Sequence, residues 1–183
     1  MSTENKIDLN VITVVNKAIT ASDNLEVMCT HLTQLLVTTL EIKGCAIFIL
    51  NPESHELEIL TSFGLSISYL NKGPVLTTKS IADSIKGIPI IVRDINQSDK
   101  LQYPENAITE GIGAIVSLPI KFRGSVIGAI RLYHHEPWNL SERDIAFLSC
   151  IADNVGLSMT YTRLLNALQI VKEAVTDIHT VWF

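Results

Sequence analysis

An α+β fold is predicted for this 183-residue chain: an antiparallel sheet of five or six strands with long helices covering one face. Three observations carry the prediction. Apolar residues recur at helical spacing through the first forty or so positions and again from Ser141 onward. Between them lie short apolar or alternating runs, broken by Asn-Pro, Gly and Arg-Gly-Ser turns, as strands are. The closing helix carries a heptad seam too apolar to be left in water.

Val11, Ile12, Val15, Ala18 and Ile19 form the first helical stripe, interrupted at Ser22 and Asp23. Asp23 with Glu26 reads as a capping box for a second helix from Leu25 to Leu40, with Leu25, Met28, Cys29, Leu32, Leu36 and Leu40 on one face. After Gly44 the texture changes to strand. G-C-A-I-F-I-L-N stops at Asn51-Pro52, and E-L-E-I-L-T-S-F follows with Leu57, Ile59, Thr61 and Phe63 alternating against Glu56, Glu58, Leu60 and Ser62. The two runs predict an antiparallel hairpin. Within residues 64–87, Thr78 is a candidate cap for a short helix carrying Ile81, Ala82 and Ile85, closed by Gly87. I-P-I-I-V (88–92) is a strand whose Pro89 places it at a start or an edge. The polar stretch 93–106 reads as a surface excursion. Two further strands then form a hairpin around Gly124.

Ser141 caps the long closing helix, with Glu142 and Asp144 in its first turn opposing the helix dipole. Leu157, Tyr161, Leu164, Leu168, Val171, Val175, Ile178 and Trp182 repeat at alternating spacings of four and three. At ~1.5 Å per residue the helix runs about 60 Å, longer than such a domain is wide, and its surplus asks for a partner helix, most simply from a second copy.

Composition narrows the function classes. Apolar residues make up 47% and charged ones 18%, which excludes a disordered chain. A net charge of -5 and the lack of a dense basic cluster argue against nucleic-acid binding; Lys121 and Arg123 flank a turn as surface charges. No apolar run approaches the ~18 residues of a membrane span, and the polar opening MSTENKIDLN predicts neither a signal nor a transit peptide. The expectation is a cytoplasmic protein with no membrane or nucleic-acid partner. Cys29, Cys45 and Cys150 are widely spaced in apolar contexts, which predicts buried reduced thiols. A reactive cysteine is the alternative. His134 and His135 are adjacent at a strand end, where side chains diverge, so they do not chelate one ion together. His31, His55 and His179 have no evident partner, and no metal is expected.

Four segments occur in order: I-P-I-I-V-R-D-I, G-I-G-A-I-V-S-L-P-I, R-G-S-V-I-G-A-I-R-L and W-N-L-S-E-R-D-I-A-F-L-S-C-I-A. On these, from about Leu25 to Leu165, the chain resembles a GAF domain. The resemblance implies a central sheet with short helices and loops over a small-molecule pocket on one face. It also implies terminal helices on the other face, which in this family commonly build a dimeric bundle. The implied division is a dimerisation helix (1–22), the GAF body (23–160) and a coiled-coil-like extension (161–183).

Departures from the family's specialised motifs restrict the ligand. The Asn-Lys pair that marks cyclic-nucleotide binders falls at His134-His135, Leu140 replaces the Phe, and only Glu142 and Asp144 match. No cysteine lies between Cys45 and Cys150, so neither bilin attachment nor the thiol cluster of GAF-type methionine sulfoxide reductases is expected. The implied pocket wall is Phe63, Tyr69, Ile81, Val92, Tyr103, Ser117, Arg131 and Tyr133, with Asp94 as a further candidate contact. Arg131, amid the strand V-I-G-A-I-R-L-Y, either anchors an anion or pairs with a nearby acid at an edge, since a buried unpaired charge is costly. Asp94 either touches ligand or bonds backbone amides in its own turn. Tyr103 is a lid residue or a packed loop aromatic.

The expected function is a non-enzymatic, cofactor-free sensory module that binds a small molecule, an anion where Arg131 serves as anchor, and relays the signal through a homodimeric helical bundle to a separate signalling partner. Val11, Val15 and Ala18 are expected beside the long helix in that bundle. A dimerisation module with a filled pocket is the alternative, and a thiol-dependent reductase is the third.

Overall fold

The structure is a computed structural model that describes residues 7, 9–20, 24–73, 75–76, 86–99 and 101–180. Asp23, the short helix expected from Thr78 through Ile85, and Trp182 lie outside the described residues, as do the side chains of Ile12, Ile178 and His179.

Two helices, α1 (Leu9–Thr20) and α2 (Leu25–Leu40), precede the strands β1 (Gly44–Leu50) and β2 (Glu56–Phe63). A single-turn helix α3 (Ile67–Leu70), a two-residue strand β3 (Val75–Leu76) and β4 (Ile90–Val92) follow. After a 3-10 turn at Ile95–Gln97 come α4 (Pro104–Thr109), β5 (Ala114–Phe122), β6 (Ser125–His134) and the long α5 (Glu142–Thr180). The six strands form one antiparallel sheet in the order β3-β2-β1-β6-β5-β4. β4 is an edge strand, where the preceding Pro89 removes no ladder donor. The excursion at 93–106 is more ordered than its polar composition predicts: Ile95 is buried, and Pro104 starts α4.

Local chemistry sets the helix ends. Asn24 caps α2, its Oδ1 accepting from Val27 N at 3.1 Å. At α5, Ser141 Oγ accepts from Asp144 N at 3.1 Å while the Asp144 carboxylate accepts from Ser141 N at 3.0 Å. This reciprocal pair satisfies two otherwise orphaned donors.

Strand pleating divides the interior in two. Cys45, Ile47, Val116, Leu118, Ile120, Ile130 and Leu132 face the long helices and form the larger core with Met28, Leu32, Leu36, Leu148, Ile151, Val155 and Met159. Gly156 lets α5 lie on β5, since a Cβ there would run into the carbonyl oxygen of Lys121. Ala46, Phe48, Ile115, Ala129 and Tyr133 face the other way, into a smaller core beneath α3 and α4.

Three expectations are corrected. The register of β1 against β2 shifts between Ile47 and Phe48, leaving Leu60 as the extra residue of a bulge. Alternation along β2 therefore breaks. Thr61 contacts Thr30 of α2 at 3.2 Å, and Phe63 pairs with Cys45 on the helix side of the sheet, 41% exposed. Second, α1 lies against α5 as expected, but within one chain: Val11, Val15 and Ala18 are buried there, Val11 and Val15 in the larger core. Third, Cys150 is exposed on α5, whereas Cys29 and Cys45 are buried.

α5 uses different faces along its length. Leu148, Ile151, Ala152, Val155, Met159 and Thr162 are buried against the domain. The heptad seam from Leu157 through Val175 is 51–60% exposed at each of Leu157, Tyr161, Leu164, Leu168, Val171 and Val175. Its 39 residues correspond to about 58 Å.

Candidate functional site

The smaller core contains one group that an apolar core would not choose. Arg131, in the middle of β6, has only 5% of its surface exposed. Its cross-strand partners are Ala46 on β1 and Ser117 on β5, two small residues that leave its side chain room to extend across the sheet face. The guanidinium sits 5.4 Å from the Phe48 ring centroid, within cation–π range, and bonds the Tyr133 hydroxyl.

Above it a cavity of about 20 Å³ opens between the sheet and the segments over it. Arg131 and Ile115 form its floor. Tyr69, Lys72 and Val75 form one wall, and Leu101, Gln102, Tyr103 and Ala107 the other. Lys72 Nζ lies 3.7 Å above the Tyr69 ring centroid and donates to the Tyr69 carbonyl oxygen at 2.9 Å. The rings of Tyr69 and Tyr133 meet edge to face at 5.8 Å.

These neighbours shift one another's ionisation. Burial, and then the positive charge of Arg131, push the Lys72 ammonium down to about 8, against a smaller opposing pull from Glu110. Burial raises the Tyr69 phenol above its usual range, and the neighbouring Tyr133 adds to this. Burial likewise raises Tyr133, outweighing the charge and hydrogen bond of Arg131.

The wall carrying Tyr69 and Lys72 is clamped from outside. Glu110, just past α4, accepts from Ser66 N at 2.9 Å and from Ser66 Oγ, and pairs with Lys43 Nζ at 3.4 Å. Ser66 Oγ in turn accepts from Tyr69 N at 3.1 Å, capping α3. Burial opposes ionisation of Glu110, but the two Ser66 bonds and the Lys43 charge outweigh it and hold the carboxyl below its ordinary range. At the far end of the wall Gly73, with φ of 124°, lies against the Tyr103 hydroxyl, which a Cβ would meet at 2.6 Å.

Of the residues expected at the pocket, the fold brings Tyr69, Tyr103 and Arg131 to the cavity, with Ser117 and Tyr133 beside Arg131 on the same face. Val92 is buried in that smaller core but does not line the cavity. Phe63 is on the opposite face, for the reason given by the bulge. Ile81 lies outside the described residues. Asp94 caps the 3-10 turn, accepting from Asn96 N and Gln97 Nε2 at 2.9 Å each, and borders a separate open cleft of about 390 Å³. Its bonds are those of the turn. Lys72 and Gln102 were not legible in the sequence: N-K-G reads as a solvated turn, and only the folding of α3 over β6 turns its lysine inward.

The thiols are elsewhere. Cys29 and Cys45 belong to the helix-side core; burial raises Cys29 to about 12 and raises Cys45 further, with Cys29 contributing. His134 stacks on Trp138 at 5.1 Å and, with His135, Glu41 and Glu136, borders an open cleft of about 410 Å³. Among the described residues no three His, Cys, Asp or Glu side chains are grouped to hold a metal ion. No described helix is long and apolar enough to cross a membrane.

Known proteins share this architecture. The GAF domain from a phosphoenolpyruvate-protein phosphotransferase of Coxiella burnetii superposes with a TM-score of 0.77 at 18% identity, over 91% of this chain and 99% of that one. The free methionine-R-sulfoxide reductase of Neisseria meningitidis, solved with its substrate, gives 0.72 at 12% identity over 90% and 96%. In sequence, the Nif-specific regulatory protein of Rhizobium etli is 26% identical over 160 residues, which cover 83% of this chain and 27% of that protein. The chain thus spans about a quarter of that relative. The family model of the GAF domain matches residues 24–159, from the cap of α2 to the last core residue of α5, and the chain belongs to the GAF domain family.

Proposed function

We propose that this chain is a sensory module that takes a small anion into the Arg131–Lys72 cavity and passes the change to α5, which pairs with a second copy through its exposed seam. The observation that carries the reading is the convergence of a buried guanidinium, an ammonium and two phenols on one small space. Cations in a low-dielectric setting bind anions more strongly than they do in water. Relay is built into the pleat: Arg131 and Tyr133 face the cavity, while Ile130 and Leu132 of the same strand face the helices. A displacement of β6 is therefore felt on both faces. The regulatory character named for the Rhizobium relative agrees with this role, and the recipient of the signal is a partner protein or a further part of a longer regulator. Three free cysteines fit a reducing, cytoplasmic setting.

A thermal-shift screen of small anions, nucleotides and amino acids tests the reading. A ligand of the native state raises the melting temperature by mass action, and Arg131→Met should abolish the shift. Hits that bind the variant unchanged would overturn the anchor role.

The small cavity favours a second reading, a dimerisation module whose pocket is filled by its own side chains. A screen in which nothing raises the melting temperature favours that one. A thiol-dependent reductase reading has less behind it, because Cys29 and Cys45 are buried on the opposite side of the sheet.

A further inference from the structure

Resting on the reading of the cavity as an anion site, we infer that its ligand is a small, doubly charged oxyanion of the phosphate or sulfate kind, and that Lys72 is a second binding residue for it. Size is the first argument. About 20 Å³ is the room of roughly one water, far below the ~300 Å³ and more of pockets that hold drug-sized organic molecules.

The walls resist expansion. Glu110 holds the start of α3 through Ser66, and Tyr103 presses on Gly73 at the other end. Lys72 is the wall group best able to yield, since its ammonium rides on a flexible four-carbon stem and, among the described residues, is held by the Tyr69 carbonyl and ring face. Swinging off that carbonyl opens space and aims the charge at the newcomer in the same movement.

Charge is the second argument. Arg131 from the floor and Lys72 from the wall bring like charges to one small volume, and an anion seated between them offsets their mutual repulsion. The depressed ionisation of Lys72, caused by burial and then by Arg131, reflects that cost. A singly charged anion relieves part of it, and a doubly charged one relieves more. Tyr69 and Tyr103, both lining the cavity, offer hydroxyl donors to the remaining oxygens.

The test is isothermal titration of the whole chain with sulfate, inorganic phosphate, acetate, succinate and a nucleoside monophosphate, repeated on Lys72→Met and Lys72→Arg. Sulfate and phosphate should bind, Lys72→Met should weaken them about 10- to 100-fold, and Lys72→Arg should restore most of the loss. Acetate should change by less than about threefold in either variant. If succinate or the nucleotide binds through Arg131 while sulfate and phosphate do not, this inference fails and the anion-site reading stands. The same holds if Lys72→Met leaves sulfate unchanged. If none of the probes binds the native chain, both fail together.

Discussion

The two faces of the sheet are made from alternate residues of the same strands, yet they are built for different ends. Toward α1, α2 and α5 the strands present Ile47, Leu118, Ile120, Ile130 and Leu132, all at most 1% exposed and interlocked with helix side chains. Toward α3 and α4 the central strands present Ala46, Ser117 and Ala129 around Arg131. Large aliphatic groups fill space on one face; small ones leave space on the other, and a cation reaches into it. The contrast separates the residues that hold the domain together from those that leave room for a ligand.

The comparison breaks first at the larger core. Leu118→Ala should cost about 2–5 kcal/mol in urea unfolding, because the rigid strands and helices around it cannot close the void. A cost below about 1 kcal/mol would mean that the helix face is no better packed than the cavity face. Glu110→Ala should cost less, about 1–3 kcal/mol, and should raise amide hydrogen exchange selectively at residues 66–72, since it removes the acceptor shared by Ser66 and Lys43. Because the folded carboxyl titrates below its unfolded value, this contribution is present above the ordinary glutamate range and is lost as pH falls through the folded pKa. Exchange spread evenly over the domain would argue that Glu110 is no clamp.

A gentler probe is pH. Among the described residues, the charged groups facing Lys72 are Arg131 from β6 and Glu110 beyond α4, beside the phenols of Tyr69 and Tyr103. Lys72 loses its proton near pH 8, whereas sulfate keeps its charge, so sulfate affinity should hold up to about pH 7 and fall between pH 8 and 10. A flat profile would remove Lys72 from the site. The smallest effect on the folded domain is expected at the seam. Truncation after Tyr161 removes the exposed seam from Leu164 onward and, of the residues buried against the domain, Thr162 alone among the described ones, so the unfolding midpoint should change little while light scattering reports a monomer in place of a dimer. A dimer that persists would move the assembly surface elsewhere, and α1, its stripe already buried, could offer only its other face.

Much of the architecture was legible because periodicity is a local property. The helices at Leu25–Leu40 and from Ser141, the hairpin around Gly124 and the edge position of the Pro89 strand follow from spacing, caps and turn residues alone. Part of the site was legible as well: a lone arginine in an apolar strand marks itself, and Arg131 is the cavity floor. Phe63 was misplaced because a one-residue bulge in β2 redirects every side chain beyond it, and nothing in E-L-E-I-L-T-S-F announces that bulge.

What the sequence determined by itself is which residues alternate, where helices begin and end, and that α5 carries an apolar seam beyond the domain. Tertiary structure decided which of those residues meet. Lys72 faces Arg131 because Glu110, 38 positions downstream, holds α3 by Ser66 over the sheet. The α1 stripe lies inside the core because α2 and α5 close over it. Such pairings depend on register and on chain closure between segments distant in sequence, and no local pattern encodes them.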